Sequence, residues 1–182
     1  MNLDDAIHGR RSVRKYSSKK PDWRDILEAI DSARYAPMAG NNFSLKFILV
    51  NEKDKIQKIA DASSQSFIAT ADYVVVACSD PKKTTNLFEK QAEVYLRQQA
   101  GAAIQNFLLK IFELGLSTCW VGHFYEKKIK DTLKISSDVQ VEAIFPIGYP
   151  MEKVSKKKKP LGNVLFFNQY KNKKMNKIKK FW

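Results

Sequence analysis

The sequence is poor in the residues that build disulfide scaffolds and metal sites. Its 182 residues include two cysteines, Cys78 and Cys119, and two histidines, His8 and His123. Two cysteines are too few for a disulfide framework, and neither histidine has a partner at the spacing of a zinc site. We therefore interpret these side chains as structural or surface groups, and we expect no metal site.

Long apolar runs and the common nucleotide-binding loops are also missing. The longest apolar stretch, 73–78, is far shorter than the ~20 residues that cross a bilayer. The N-terminus has early acidic residues and no apolar core of a signal peptide, so we expect a cytoplasmic protein without membrane contact. Neither G-x-x-x-x-G-K-[ST] nor G-x-G-x-x-G is present, and no side-chain triad suggests a nucleophile. We therefore expect a cofactor, and not a catalytic side chain, to carry the chemistry.

Positive charge is in excess, and most of it lies near the C-terminus. The formal net charge is +13, and residues 151–182 hold eleven lysines and one acid, Glu152. Such a segment suits nucleic acid, an anionic membrane or an anionic small ligand, or it only keeps the surface solvated. The 11 Phe, 7 Tyr and 3 Trp supply a sizeable core. We predict a single domain over residues 1–170 and a basic tail over residues 171–182.

Apolar periodicity predicts helices that alternate with strands. The helices are predicted over 2–9, 21–36, 52–62, 87–114 and 126–133. The strands are predicted over 45–50, 73–78, 117–121, 139–147 and 164–167. This order favours the α+β class, with strands and helices in layers, and no linker divides the body into two domains.

The strongest local feature is the basic segment Arg10-Arg11-Ser12-Val13-Arg14-Lys15-Tyr16. Alternate residues of an extended segment point the same way, so Arg10, Ser12 and Arg14 are expected to face one ligand. Two guanidinium groups and a hydroxyl suit a phosphate or another delocalised anion. The arginines would equally complement the dipole at the end of the first helix, and the segment alone leaves both interpretations open.

Five segments, in order along the chain, resemble those of the nitroreductase family, flavoproteins that bind FMN. They are residues 10–16, residues 32–41 (SARYAPMAGN), residues 101–122, residues 146–150 (PIGYP) and residues 158–161 (KKPL). Together they span nearly the whole chain. The sequence departs from the family after Asn41, where relatives often read Gln-Pro-Trp and this chain has Phe43-Ser44-Leu45. That difference leaves the substrate range open.

The resemblance implies a nitroreductase-like fold, in which helices flank a central mixed or antiparallel sheet and the C-terminal strand is exchanged in a homodimer. It implies FMN as cofactor and NADH or NADPH as electron donor. It also implies ping-pong hydride transfer through flavin N5 to a small electron-poor acceptor, such as a nitroaromatic or a quinone.

Residue by residue, the resemblance assigns FMN contacts to Arg10, Arg11, Ser12, Arg14, Asn41, Gly122, His123, Lys158 and Lys159. The first four serve the phosphate and the pyrimidine edge of the ring, with at least one arginine at the N1/O2 edge. Asn41 reaches the ring from the partner subunit, and Gly122 with the backbone of His123 lies near N5. Lys158 and Lys159 hold the phosphate, although the lysine run 156–159 does not reveal which of its members makes the contact.

Two alternatives remain open. The same fold supports reductive dehalogenation and flavin fragmentation, which bound flavin without NAD(P)H oxidation would favour. The basic tail would instead allow nucleic-acid binding that weakens steeply with salt, with Phe166, Phe167 and Tyr170 available for stacking. Nucleic acid is the less favoured partner, because the tail has no recognisable binding fold and the rest of the chain would stay unexplained.

Overall fold

A computed structural model describes residues 1–155 and 157–175 of the chain; Lys156 and residues 176–182, which include most of the predicted basic tail, lie outside the described residues. Four strands form one antiparallel sheet in the order β1-β2-β4-β3. The strands are β1 (Leu45–Val50), β2 (Tyr73–Ser79), β3 (Ser117–Thr118) and β4 (Gln140–Gly148). The predicted α+β class and the antiparallel sheet are confirmed.

Six α-helices accompany the sheet in the described part of the chain. They are α1 (Leu3–Gly9), α2 (Trp23–Ala33), α3 (Lys53–Ser63), α4 (Lys82–Phe88), α5 (Ala92–Glu113) and α6 (Glu126–Leu133). The first two begin at side-chain caps: Asn2 accepts from the backbone N–H of Asp5 at 2.8 Å, and Asp22 from that of Arg24 at 2.9 Å. These caps satisfy N–H groups that the helix leaves unpaired, so both helices begin where the sequence predicts.

The core lies on both faces of the sheet. One cluster joins the sheet to α2 and α5, and the other joins it to α3 and α6. Phe107 of α5 packs edge to face on Phe145 of β4, with ring centroids 5.3 Å apart. Because β2 lies in the middle of these layers, it is buried along its whole length, which explains its continuous apolar run.

β3 is shorter than the predicted strand over 117–121, because its partner strand contains a proline. Regular pairing ends at Thr118, and the register then places Cys119 opposite Pro146, which has no N–H to donate. Pairing resumes at Val121, whose N–H and carbonyl each bond to Ile144 at 3.0 Å.

The helix predicted over 87–114 begins later than expected, and a separate short helix precedes it. Glu89, at φ 45°, separates α4 from α5. No glycine or proline marks this break; Phe88 instead packs edge to face on Tyr95, with centroids 4.9 Å apart, and lies against Gly40. Tertiary packing therefore overrides the local helical pattern. The far end agrees with the prediction, since Gly115 takes the left-handed conformation at φ 75°.

The strand predicted over 164–167 does not form within this chain. Leu161–Asn163 is a short 3-10 turn, and the chain then folds back so that the N–H of Phe167 donates to the carbonyl of Asn172 at 2.8 Å. Val164 is 64% exposed. A strand needs the hydrogen bonds of a neighbouring edge, and among the described residues none pairs with this segment. Exchange of the segment into a partner subunit stays a prediction.

Candidate functional site

The basic segment 10–16 leaves α1 and runs extended beside the sheet. The N–H of Val13 donates to the carbonyl of Thr118 in β3 at 3.1 Å. Further along, the N–H of Ser17 donates to the carbonyl of Tyr149, and the N–H of Met151 to that of Lys15, each at 2.9 Å. The segment therefore ties β3 to the turn after β4, and its extended form lets alternate side chains face the same way, as predicted.

Tyr16 holds this segment in place through the hydrogen bonds of its hydroxyl. Its hydroxyl donates to the carbonyl of Val13 at 2.8 Å and lies 3.1 Å from the carbonyl of Pro146. Burial raises the pKa of Tyr16 far above its usual value, so the phenol keeps its proton and remains a donor. Gly148 makes the space for the ring, since a Cβ there would lie 2.8 Å from the Tyr16 Cβ. The fixed backbone of the segment thus depends on a tyrosine packed directly on a glycine.

The extended segment forms one wall of a cavity of about 160 Å³, which we call the cation cavity. Its lining residues are Arg10, Arg11, Ser12, Arg14, Val154 and Lys158. Five of these six are predicted site residues, brought together from the N-terminal segment and the region after β4. Among the described residues that line it, none is acidic. A concave site with several cationic donors suits an oxyanion of more than one negative charge.

Arg11 differs from the other arginines of the cation cavity. Its Nη1 donates to the carbonyls of His8, at 2.6 Å, and Arg10, at 2.8 Å, at the end of α1. The helix-end interpretation left open by the sequence therefore holds for Arg11. Its Nε is buried and has no hydrogen-bond partner in the described part of the chain. Contact of Arg11 with a ligand stays a prediction.

A larger opening of about 660 Å³, which we call the adjoining cavity, shares Ser12, Arg14 and Val154 with the cation cavity. Its other lining residues are Lys15, Ser66, Phe67, Thr70 and Glu152. The guanidinium of Arg14 lies over the Phe67 ring, 5.8 Å from its centroid. An aromatic wall with hydroxyls and a fixed cation suits a flat, polar ring system.

Phe67, Thr70 and Glu152 line the adjoining cavity but are not among the site residues predicted from the sequence. The first two belong to the 3-10 turn Ser66–Thr70, which carries no motif of its own. The sequence does distinguish Glu152, because it is the one acidic residue in residues 151–182, which hold eleven lysines.

Four predicted residues do not line either cavity. Gly122 and His123 are exposed just after β3, and the carbonyl of His123 accepts a long contact of 3.5 Å from the amide of Gln65, next to Ser66. Lys159 is exposed beside Lys158. Their contacts with a ligand stay predictions.

Asn41 lies in a separate turn, Ala39–Asn41, before β1. Both Gly40 and Asn41 have positive φ, at 58° and 52°. The turn is held by the buried side chain of Gln99, which accepts from the N–H of Ala39 at 3.2 Å and donates to Ser44. Asn41 itself is exposed and lines neither the cation cavity nor the adjoining cavity. Its predicted contact with FMN therefore depends on a partner subunit.

Cys119 is buried next to the bridge between Ser12 and Thr118. Burial raises the pKa of its thiol, while Arg14 and a hydrogen bond with Ser12 act in the opposite direction. A neutral, buried thiol is a poor nucleophile. The structure therefore does not favour Cys119 as a nucleophile.

The nitroreductase family model matches residues 7–81 and 61–149, which is well over half of the chain. This chain belongs to the nitroreductase family. Within residues 1–155 and 157–175, this nitroreductase-family protein has no helix long and apolar enough to cross a membrane.

Individual relatives agree with that assignment. A protein of Archaeoglobus fulgidus, whose name places it among NADH dehydrogenases and NAD(P)H nitroreductases, is 28% identical over 80% of this chain and 84% of its own length. An iodotyrosine deiodinase of Thermotoga neapolitana is 23% identical over 81% of this chain and 88% of its own. The structure of an FMN-dependent nitroreductase from Clostridium difficile superposes with a TM-score of 0.79, at 23% identity, over 92% of this chain and 99% of that one. The predicted nitroreductase-like fold is confirmed.

Proposed function

We propose that this nitroreductase-family chain binds FMN and uses it to pass hydride from NADH or NADPH to a small electron-poor acceptor, such as a nitroaromatic or a quinone. The observation that carries the proposal is the cation cavity. The FMN phosphate carries a charge of about −1.5 to −2 at neutral pH. Arg10, Arg14 and Lys158 supply opposing charge there, and Ser12 adds a hydroxyl.

The adjoining cavity fits the remainder of FMN. It shares Ser12 and Arg14 with the cation cavity, and its volume of about 660 Å³ is large enough for a three-ring system. When bound, FMN supplies an atom that accepts and then releases hydride. In this proposal Arg14 would hold the N1/O2 edge of the ring, where a cation stabilises the negative charge that develops on reduction. No covalent nucleophile is required of the protein.

The proposal includes a homodimer with shared sites. Among the described residues no strand pairs with the outer edge of β1, and its residues 47–49 are half-buried apolar side chains. The exposed Val164 and Leu165 of a second copy would cover such an edge by adding a strand to it. Asn41 lies in the turn just before β1, and therefore near that interface. Sedimentation equilibrium at micromolar concentration is expected to give a dimer, and a monomer would contradict this part of the proposal.

The absorption spectrum of the purified protein tests the proposed cofactor, with the released cofactor identified and counted. We expect one FMN per chain, bleaching on anaerobic addition of NADH or NADPH, and ping-pong kinetics with the acceptor. Arg10→Ala is expected to weaken FMN binding at least about tenfold through loss of one charge-assisted contact. Arg24→Ala is the matched control, because Arg24 is exposed on α2 and pairs with Asp22.

The outcomes separate the candidate functions. Protein that cannot be loaded with FMN contradicts the proposal. Bound FMN with negligible NAD(P)H oxidation would favour another flavin reaction in the same fold, and the deiodinase relative gives reductive dehalogenation as the first reaction to assay.

A further inference from the structure

Glu152 stands out in the candidate site because of its charge. Of the described residues that line the two cavities, it is the one carboxylate. A negative charge beside a site for an anion weakens the binding of that anion. Glu152 therefore does not serve this site by attracting the anion, and we look for another role.

The carboxylate of Glu152 makes one defined contact. Its Oε1 accepts from the backbone N–H of Arg14 at 3.0 Å. The neighbouring residues are joined as well, since the N–H of Met151 donates to the carbonyl of Lys15 at 2.9 Å. One side-chain and one backbone hydrogen bond therefore fix the backbone of residue 14 against the turn after β4.

Fixing that backbone also fixes the direction in which the Arg14 side chain leaves it. Arg14 lines both cavities, and its guanidinium lies over the Phe67 ring. We propose that Glu152 is a positioning residue, which holds the Arg14 guanidinium in place through the hydrogen bond to the Arg14 backbone and not through its charge. The inference rests on the proposed function, because Arg14 is the residue assigned to the flavin ring.

A role in geometry and a role in charge predict opposite results for two conservative variants. Glu152→Gln keeps the length of the side chain and offers an amide oxygen to the Arg14 N–H, but it removes the charge. Glu152→Asp keeps the charge but shortens the side chain by about 1.5 Å, one carbon–carbon bond. Only the glutamine variant retains the positioning hydrogen bond.

Titration of the apoprotein with FMN, followed by the quenching of flavin fluorescence, tests the inference without an activity assay. We expect the Kd of Glu152→Gln to stay within about twofold of the unchanged chain, and the Kd of Glu152→Asp and Glu152→Ala to rise about tenfold. Glu93→Gln and Glu93→Asp are the controls, because Glu93 is exposed at the start of α5. The absorption bands of FMN bound to Glu152→Asp should shift in the same direction as those of Arg14→Ala.

A double-mutant cycle shows whether Glu152 acts through Arg14. In the Arg14→Ala background, Glu152→Ala should change the Kd by less than about twofold. A tenfold effect in that background, an unchanged Kd for Glu152→Asp, or a tenfold loss for Glu152→Gln would each overturn the inference while leaving the proposed function intact. Failure of the unchanged chain to bind FMN would overturn both.

Discussion

The replacement of Gly148 by alanine tests how the basic segment is held in place. A Cβ at residue 148 would lie 2.8 Å from each of the Cβ, Cγ and Cδ1 atoms of Tyr16, whereas carbon atoms in contact prefer about 3.5–4.0 Å. These are the atoms of Tyr16 nearest its backbone, and that backbone is bridged to Pro150. The ring therefore cannot rotate away, and the whole segment has to move.

The size of the effect follows from this overlap. Overpacking of a rigid site costs about 1–3 kcal/mol. The shift also strains the hydrogen bond of 2.8 Å from the Tyr16 hydroxyl to the Val13 carbonyl, worth about 1 kcal/mol. The total is about 1–4 kcal/mol, and at about 2–4 °C per kcal/mol for a chain of this length we expect the Tm of Gly148→Ala to fall by about 2–16 °C. Because Ser12 and Arg14 move with the segment, FMN affinity should fall about tenfold.

The assay combines thermal unfolding of the apoprotein, followed by circular dichroism, with an FMN titration. Gly162→Ala is the matched control, because within the described part of the chain no atom beyond the two neighbouring residues lies within 4 Å of the Cβ that it would add. If Gly148→Ala leaves both the Tm and the Kd for FMN at the values of the unchanged chain, the contact between Tyr16 and Gly148 does not hold the segment.

Three further predictions concern the alkaline limit of stability, the Asn41 turn and the lysine run. Burial raises the pKa of Cys78 from 9.0 to about 12. The stability that the neutral buried thiol gives the folded state is complete below pH 9 and is lost above it, because the thiol of the unfolded chain ionises first. Between pH 9 and pH 12 the free energy of unfolding, measured by urea titration, should therefore fall more steeply than in Cys78→Ala. Gln99→Leu leaves the N–H of Ala39 and the hydroxyl of Ser44 without their partner, which should lower the free energy of unfolding by about 2–4 kcal/mol in urea; a loss below about 0.5 kcal/mol would contradict the role of Gln99. Lys158→Ala should weaken FMN binding about tenfold and Lys159→Ala should not, because of these two lysines Lys158 lines the cation cavity and Lys159 does not. Equal losses of FMN affinity in the two variants would refute this assignment.

Elements with local signals could be predicted from the sequence, and elements decided by distant contacts could not. Asn2 and Asp22 cap the first two helices within their own first turns, so the start of each helix is visible in the sequence. The break before α5 arises from the packing of Phe88 on Gly40, and the early end of β3 arises from Pro146 on another strand. Each change therefore depends on a residue outside the segment that it alters, Gly40 in the first case and Pro146 in the second.

The candidate site also combines residues that could be predicted from a local pattern with residues that distant contacts bring to it. The sequence could predict that Arg10, Ser12 and Arg14 line one cavity, because they alternate within one extended segment. Phe67 comes from the turn before β2, and Glu152 meets the Arg14 backbone across 138 positions of the chain. Such contacts depend on the topology of the sheet, which sequence periodicity does not give. The strand predicted over 164–167 does not form, because none of the described residues pairs with this segment.

In the proposed function, the cation cavity binds the phosphate of FMN. A comparison of the affinities of FMN and riboflavin for the same protein tests it most directly, because the two ligands differ only in that phosphate. Two charge-assisted contacts predict that the unchanged chain binds FMN at least about a hundredfold more tightly than riboflavin. The preference should shrink to about tenfold or less in Arg10→Ala and persist in Arg24→Ala. Equal affinities for FMN and riboflavin in the unchanged chain would contradict the account.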